Sequence, residues 1–291
     1  MDGRYPRPVP PPPSSSPSQT SLKVPASSSR TSSPPPRARE TSSPSPSRPT
    51  TSSPRPTGLL RASRRRKQSP RSSPRTRARR LLQFDRQFGL RHVAGVDEAG
   101  RGCLAGPLVV AGVLFDYNRL RDHRVRPLAG LNDSKQLTSA EREELFRGVV
   151  ACASSFTVRV ISSEEIDRNG LHRSNLEAMR SCLRSLAPPA EACLVDGFRL
   201  GPAAPEHLAV VDGDERSATI AAASIVAKVV RDRTMRRIDA LFPHYGFSSH
   251  VGYITPRHSA VVRERGPSEL HRRSFQALCY EDLAELESAG G

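Results

Sequence analysis

The chain has 291 residues, a formal net charge of +16, 27 prolines and no tryptophan. That length allows one or two domains. It holds no run of 18 apolar residues and no apolar stretch behind Met1, so neither a membrane span nor a secretory signal is expected. Five cysteines, an odd number without CxxC spacing, point to reduced thiols in a cytoplasmic protein rather than a disulfide framework or a zinc site.

The charge is unevenly placed. Residues 1–80 contain 18 Lys+Arg against 2 Asp+Glu, which already accounts for +16, and 18 of the prolines. Residues 81–291 are formally neutral. With so little Leu, Ile, Val or Phe, residues 1–80 cannot bury enough apolar surface to offset the entropy of ordering, and they are expected to be a disordered basic tail. Two roles stay open for it: an arm that attracts polyanions without sequence preference, or a merely solvated segment. Its Ser/Arg-rich, acid-poor character also resembles an organellar transit peptide, although its prolines oppose an amphipathic helix.

Folded character is expected from Leu81 onward, as one domain over residues 81–291. Val93 to Val96 reads as a short buried strand, followed at once by Asp97, Glu98 and a glycine-rich turn. Leu108 to Phe115 is a second strand and forms a hairpin with the first. Asn132 to Lys135 is a polar loop. Thr138 and Glu141 form a capping box that opens a helix to about Cys152, and Ser162 with Glu165 repeats the pattern. Between them, Phe156 to Ile161 is strand-like.

Leu176, Met179, Leu183 and Leu186 mark one face of a helix that packs into the core. Ala192 to Val195 and Leu208 to Val211 are further strands. The small-residue run 219–230 allows a helix, read over 217–241, to lie very close to a sheet. Pro243 to Gly252 is a loop, Thr255-Pro256 starts a short helix, and a final helix is expected over 268–286. Alternating strands and helices make the class α/β, with a mixed central sheet flanked by helices and a C-terminal helical segment.

Asp97, Asp196 and Asp214 share a setting. Each stands where an apolar run stops, beside a glycine. Side chains at strand ends of an α/β sheet converge on a crevice. Clustered carboxylates repel one another, and a divalent cation relieves that repulsion. An all-oxygen ligand set points to Mn²⁺ or Mg²⁺, not zinc. A cation pair about 3.5–4 Å apart can activate water and stabilise the leaving oxygen of a phosphodiester. Successive strand residues point to opposite faces, so Asp97 and Glu98 are expected to reach one site only if the strand ends there.

Several motifs agree with a known family. They are GVDEAGRG at 95–102, GP at 106–107, NDSK at 132–135, VDG at 195–197 and GD at 213–214. IAAASIVAKVVRD at 220–232, GY at 252–253 and HRRSF at 271–275 follow in order. From Val93 to about Phe275 the chain resembles ribonuclease HII. The resemblance implies an RNase H-like fold and divalent-metal-dependent cleavage of RNA in RNA–DNA hybrids. It also implies incision at single ribonucleotides in duplex DNA, leaving 3′-hydroxyl and 5′-phosphate ends.

By the same resemblance Asp97, Glu98, Asp196 and Asp214 are the catalytic, metal-binding acids. Gly100, Arg101 and Gly102 read the ribose 2′-hydroxyl, the group that distinguishes RNA from DNA. Tyr253 packs on the neighbouring sugar, and Lys135 and Lys228 are candidate phosphate or acid partners. Lys228 reads equally well as half of a structural ion pair. The partners expected are hybrid and ribonucleotide-containing duplexes, with no membrane, and the protein is expected to act as a monomer. Two positions depart from the family pattern: Asp212 and Val251 stand where lysine is common. His244, His250, His258 and His271 have no metal-ligand spacing and read as polar contacts.

Overall fold

The structure, a computed structural model, describes residues 73–120, 126–131, 134–277 and 279–280. Five strands form one mixed sheet: β1 (His92–Ala99), β2 (Leu108–Asp116), β3 (Ser155–Ile161), β4 (Ala192–Asp196) and β5 (Leu208–Val210). Their order is β3-β2-β1-β4-β5. The β1–β2 hairpin and β3 are antiparallel, and β4 and β5 run parallel to β1.

Seven α-helices accompany the sheet among the described residues: α1 (Pro74–Arg86), α2 (Ser139–Cys152), α3 (Ser163–Asn169), α4 (Leu171–Leu186), α5 (Ala218–Asp239), α6 (Phe247–His250) and α7 (Pro256–Arg265). None of the helices is long and apolar enough to cross a membrane.

Strand alternation divides the core into two layers. Val93, Val113 and Leu194 face α1, α2 and α5, packing against Leu81, Val149 and Ile220. Ala94, Val96 and Val195 face α4, against Met179, Leu183 and Leu186. The expected core stripe of α4 is therefore real, and so is the close packing expected of the small-residue run. A Cβ added to Gly95 of β1 would lie 2.5 Å from the Ile220 backbone nitrogen of α5. Only a glycine on the strand lets that helix come so near.

Helix starts follow the capping signals. Thr138 and Glu141 form the full reciprocal box at α2. Ser162 caps α3 through Glu165 N–H alone, without the return bond. Thr255 caps α7, with Pro256 in its first turn.

Three expectations need correction. Residues 1–72 of the expected tail lie outside the described residues, but its last part does not behave as tail. α1 begins at Pro74, capped by Ser73, and buries Ala78, Leu81 and Leu82. Second, 243–252 is not wholly loop, since it contains the single turn α6. Third, Cys279 and Tyr280 are helical and 281–291 lie outside the described residues, but residues 268–277 form turns and a bridge rather than a helix. That segment is held by long-range contacts. His271 bridges Ala105, and Arg272 N–H donates to the Leu104 carbonyl at 2.9 Å.

A buried carboxylate joins α1 to the rest. Asp85 accepts from Tyr117 Oη at 2.6 Å and from Thr219 N and Oγ1 at 2.9 and 3.0 Å. A histidine cluster lies where α6, α7 and the segment after α7 meet. His250 and His258 stack at 4.1 Å, and His258 Nε2 lies 3.0 Å from His271 Nε2. Burial pushes His258 down to about 4 and His271 down to about 3. These rings are internal contacts and do not face solvent.

Deleting residues 1–72 is expected to leave the unfolding midpoint in urea unchanged. Asp85→Ala, which strands three donors, should cost about 2–3 kcal/mol on the same measurement. The two histidines make acid destabilising. Their folded values lie below the unfolded value, so the stability they support is complete above about pH 6.5 and is lost as pH falls toward the folded values. His271→Gln should flatten that fall between about pH 6.5 and 4, measured as urea midpoint against pH.

Candidate active site

β1 and β4 pair side by side up to Val96 and Val195, and there the pairing stops. β1 runs on to Ala99 along β2 alone, with Asp97 opposite Ala111 and Glu98 opposite Val110. The sheet thus opens one residue before Asp97 and Asp196, which are the next residues on the two strands. This corrects the expectation that β1 ends before the acids. Only its β4 side ends, and that leaves both Asp97 and Glu98 beside the opening.

Each acid is placed by its own local structure. Asp97 is buried on the α5 face of β1. Its Oδ1 accepts from Glu98 N–H at 2.7 Å, and Ser224 of α5 bonds its carboxyl. Ser224 Oγ in turn lies 2.9 Å from Ser134 Oγ. Asp196 Oδ1 accepts from Gly213 N–H at 2.7 Å, which draws the 3₁₀ turn Gly213–Glu215 against the end of β4. Asp214 sits in that turn, buried, with Lys135 Nζ 3.6 Å from its Oδ2. Glu98 has Arg101 Nη1 at 3.4 Å.

The electrostatics show the strain of the arrangement. Burial first, then the charges of Glu98 and Asp196, hold the Asp97 carboxyl well above the usual carboxylate range. Asp196 is raised by burial and by Asp214 and Glu98, against the pull of Gly213 N–H and Lys135. Like charges within reach of one another oppose ionisation. The four acids are therefore linked through Asp196.

A cleft of about 220 Å³ collects most of the expected residues. Asp97, Glu98, Gly100, Arg101, Gly102, Lys135, Asp196 and Tyr253 all line it. Asp214 joins through Lys135 and Asp196 rather than by lining the cleft. Asn132 and Asp133 of the polar loop lie outside the described residues.

Lys228 also lines the cleft, yet its Nζ lies 2.7 Å from Asp232 Oδ1 and 5.3 Å from the Tyr253 ring centre. The ion-pair reading is thus met, with the amine still at the cleft. Sequence reasoning missed Ser134 and Ser224, although both stand inside motifs it singled out. A larger hollow of about 1060 Å³ lies against α1, lined by Arg75, Arg79, Arg86 and Arg126 and, among the described residues, by no carboxylate. The cleft's chemistry, not its volume, marks the site.

Among the described residues no three His, Cys, Asp or Glu side chains form a ready-made cation cage. Mg²⁺-like ions do not need one. They take one or two carboxylates, keep several waters and fill the remainder with phosphate oxygens. Asp97 and Asp196, oxygen donors already destabilised by neighbouring charge, fit that demand.

Comparison with known proteins decides the family. A family model described as Ribonuclease HII matches residues 94–278. The chain belongs to the ribonuclease HII family. The Ribonuclease HII of Salinispora tropica is 49% identical over 208 residues, covering 69% of this chain and 75% of that protein. That of Geobacillus kaustophilus is 40% identical over 213 residues, covering 72% and 79%.

Among solved structures, the ribonuclease H2 from Pyrococcus horikoshii OT3 superposes with a TM-score of 0.56 at 28% identity. It covers 68% of this chain and 98% of that one. RNase HII from Archaeoglobus fulgidus, solved as a complex with PCNA, gives 0.53 at 30% identity, covering 64% and 95%. The fold is thus RNase H-like, and the protein is a ribonuclease H that acts as an endoribonuclease on RNA in hybrids.

Removing one acid separates its cost from its use. The folded value of Asp97 is raised, so its contribution is intact below the usual carboxylate range and turns unfavourable as pH rises through the raised value. In cation-free buffer at pH 8, Asp97→Asn is expected to unfold about 2–5 °C above the parent by calorimetry. The parent should gain stability on adding Mn²⁺ and the variant much less. An Asn variant less stable than the parent in chelator contradicts this assignment.

Proposed function

We propose that this ribonuclease HII requires divalent cations, Mg²⁺ or Mn²⁺, and incises duplex DNA at a single embedded ribonucleotide as well as cutting longer hybrids. The products are a 3′-hydroxyl and a 5′-phosphate. The observation that carries the reading is one cleft shared by Asp97, Glu98, Asp196, the Gly100–Gly102 turn and Tyr253. Acids able to hold cations and groups able to inspect a sugar lie together there.

In this reading Asp97, Glu98, Asp196 and Asp214 hold the cations. Bound divalent ions supply an activated water and neutralise charge on the leaving oxygen. The chain's own groups do the rest. Asp97 and Asp196 are pre-positioned by hydrogen bonds from Ser224, Glu98 N–H and Gly213 N–H, so little reorganisation accompanies loading.

Gly100 has φ +90, and an added Cβ at Gly102 would meet nothing within 4 Å. The turn therefore offers bare backbone to a 2′-hydroxyl, which can both donate and accept. Tyr253 is partly exposed at the cleft and presents a ring face to the adjacent sugar. Lys135, with its side chain mostly in solvent beside Asp214, is placed to meet a phosphate.

The test uses three duplexes with Mn²⁺ or Mg²⁺: all-DNA, DNA with one ribonucleotide, and a full RNA–DNA hybrid. We expect no cleavage of the first and cleavage of the other two, with 3′-hydroxyl and 5′-phosphate ends by mass spectrometry. Asp97→Asn and Asp214→Asn should each lower kcat by about 10³-fold or more, equivalent to about 4 kcal/mol. Binding without incision at the lone ribonucleotide would turn the reading toward a hybrid-binding protein. Cleavage of the long hybrid alone would assign a different hybrid preference.

A further inference from the structure

Two arginines lie wholly inside the protein under the cleft. Arg231 and Arg272 are each 0% exposed. A guanidinium stays charged in proteins, so burying one is costly unless its donors are met. Here they are met by backbone carbonyls. Arg272 donates to Gly106 O and Arg101 O. Arg231 donates through Nε to Pro107 O at 2.9 Å, through Nη2 to Ala105 O at 3.1 Å and through Nη1 to Val251 O at 2.7 Å.

The partners of Arg231 come from two different segments. Ala105 and Pro107 belong to the β1–β2 connection that carries the Gly100–Gly102 turn. Val251 belongs to the turn that carries Tyr253. The guanidinium also fills the space beneath Gly100, where a Cβ would lie 2.0 Å from Nε, and sits 5.8 Å from the Tyr253 ring centre.

Val251 adds a second, independent sign. It is a β-branched residue at φ +42, ψ +39, a left-handed conformation that such residues avoid. Conformations of this kind persist only where the surroundings enforce them. The bond from Arg231 to the Val251 carbonyl and the bond from Ala105 N–H to the Gly252 carbonyl at 3.2 Å are the enforcing contacts. A planar fork with several donors can span all three carbonyls, and an ammonium cannot.

We propose that Arg231 is a positioning residue that sets the register between the 2′-hydroxyl-reading turn and Tyr253, so that one side chain fixes both halves of the sugar grip. This rests on the reading of Gly100–Gly102 and Tyr253 as sugar contacts given above. Arg231 touches neither substrate nor cations in this scheme. It acts through the backbone of both segments.

A double-mutant cycle on the full-length protein tests it, with Arg231→Lys, Tyr253→Ala and the double variant, on the single-ribonucleotide duplex. Displacing positioned groups by about 1 Å costs about 100-fold, so Arg231→Lys should lower kcat/KM by that order while the Mn²⁺ midpoint of thermal stabilisation moves less than about twofold. Tyr253→Ala alone should cost about tenfold, the scale of one lost aromatic stack. In the Arg231→Lys background the same substitution should cost under about threefold, because the ring is already out of place.

Penalties that simply multiply, or an Arg231→Lys enzyme with parental kcat/KM, overturn the proposal. If the lysine variant does not fold, the parent answers by NMR. The protected Arg231 Nε–H resonance should shift when a ribonucleotide duplex binds in Ca²⁺ but not when an all-DNA duplex binds, and equal shifts refute the coupling. Failure of the parent to incise the lone ribonucleotide is a separate result. It removes the substrate reading, and the same cycle is then read on the long hybrid.

Discussion

The contact between α5 and β1 at Gly95 is the constraint on which the rest depends. With no side chain on the strand, the helix backbone comes within van der Waals contact of the sheet. Asp97, two residues along on the same face, is therefore covered by α5 and loses water. Its compensation comes from Glu98 N–H and from Ser224, the latter carried by the helix that buries it. Such a carboxylate is destabilised unless a cation answers it. Burial of Asp97 and its demand for positive charge are consequences of one close approach.

Much of this was legible in the sequence. The strands come from short β-branched runs, and their reading was off by only a few residues. The run from Thr219 to Val230, rich in alanine, announces a helix that must lie close to something. Acids next to glycines at the ends of apolar runs announce a crevice. What escaped depends on partners far away in the chain. β1 outlasts Val96 because β2 still pairs with it, while its pairing with β4 has stopped, and no local pattern states where a neighbour lets go. The segment after Gly266 resembles a helix until Arg272 is seen to spend its donors on Gly106 and Arg101. α1 was hidden by composition: its buried face is a few residues among many arginines and prolines.

Carboxylates stand at the open edge between β1 and β4, and two guanidiniums are sealed beneath the Gly100–Gly102 turn. Residues 81–291 carry no formal net charge to attract a polyanion from afar, since the excess of arginine and lysine lies before residue 81. Local field must then come from fixed positions. A buried arginine bonded only to carbonyls keeps its positive charge close to the cleft, where poor screening makes it effective. The same burial makes it a rigid part. Its carbonyl partners are held at bonding distance, and they in turn fix the loop that faces a sugar.

Asp212 and Val251 fall at mechanically equivalent places. Among the described residues, Asp212 at φ 52 and Val251 at φ 42 are the two non-glycine residues with positive φ. Each precedes a glycine and then a residue of the site, Asp214 in one turn and Tyr253 in the other. Aspartate tolerates the left-handed region well, but valine does so at a cost of about 1–2 kcal/mol. Neither turn therefore follows from the preference of the residue that occupies it. In one, the Asp196 carboxylate takes the Gly213 N–H; in the other, Arg231 takes the Val251 carbonyl. The path is imposed by groups already at the cleft, and the side chain at the bend is left free to vary in charge. A change of charge at either bend then alters the field around the site while the backbone still delivers Asp214 and Tyr253 to the same place.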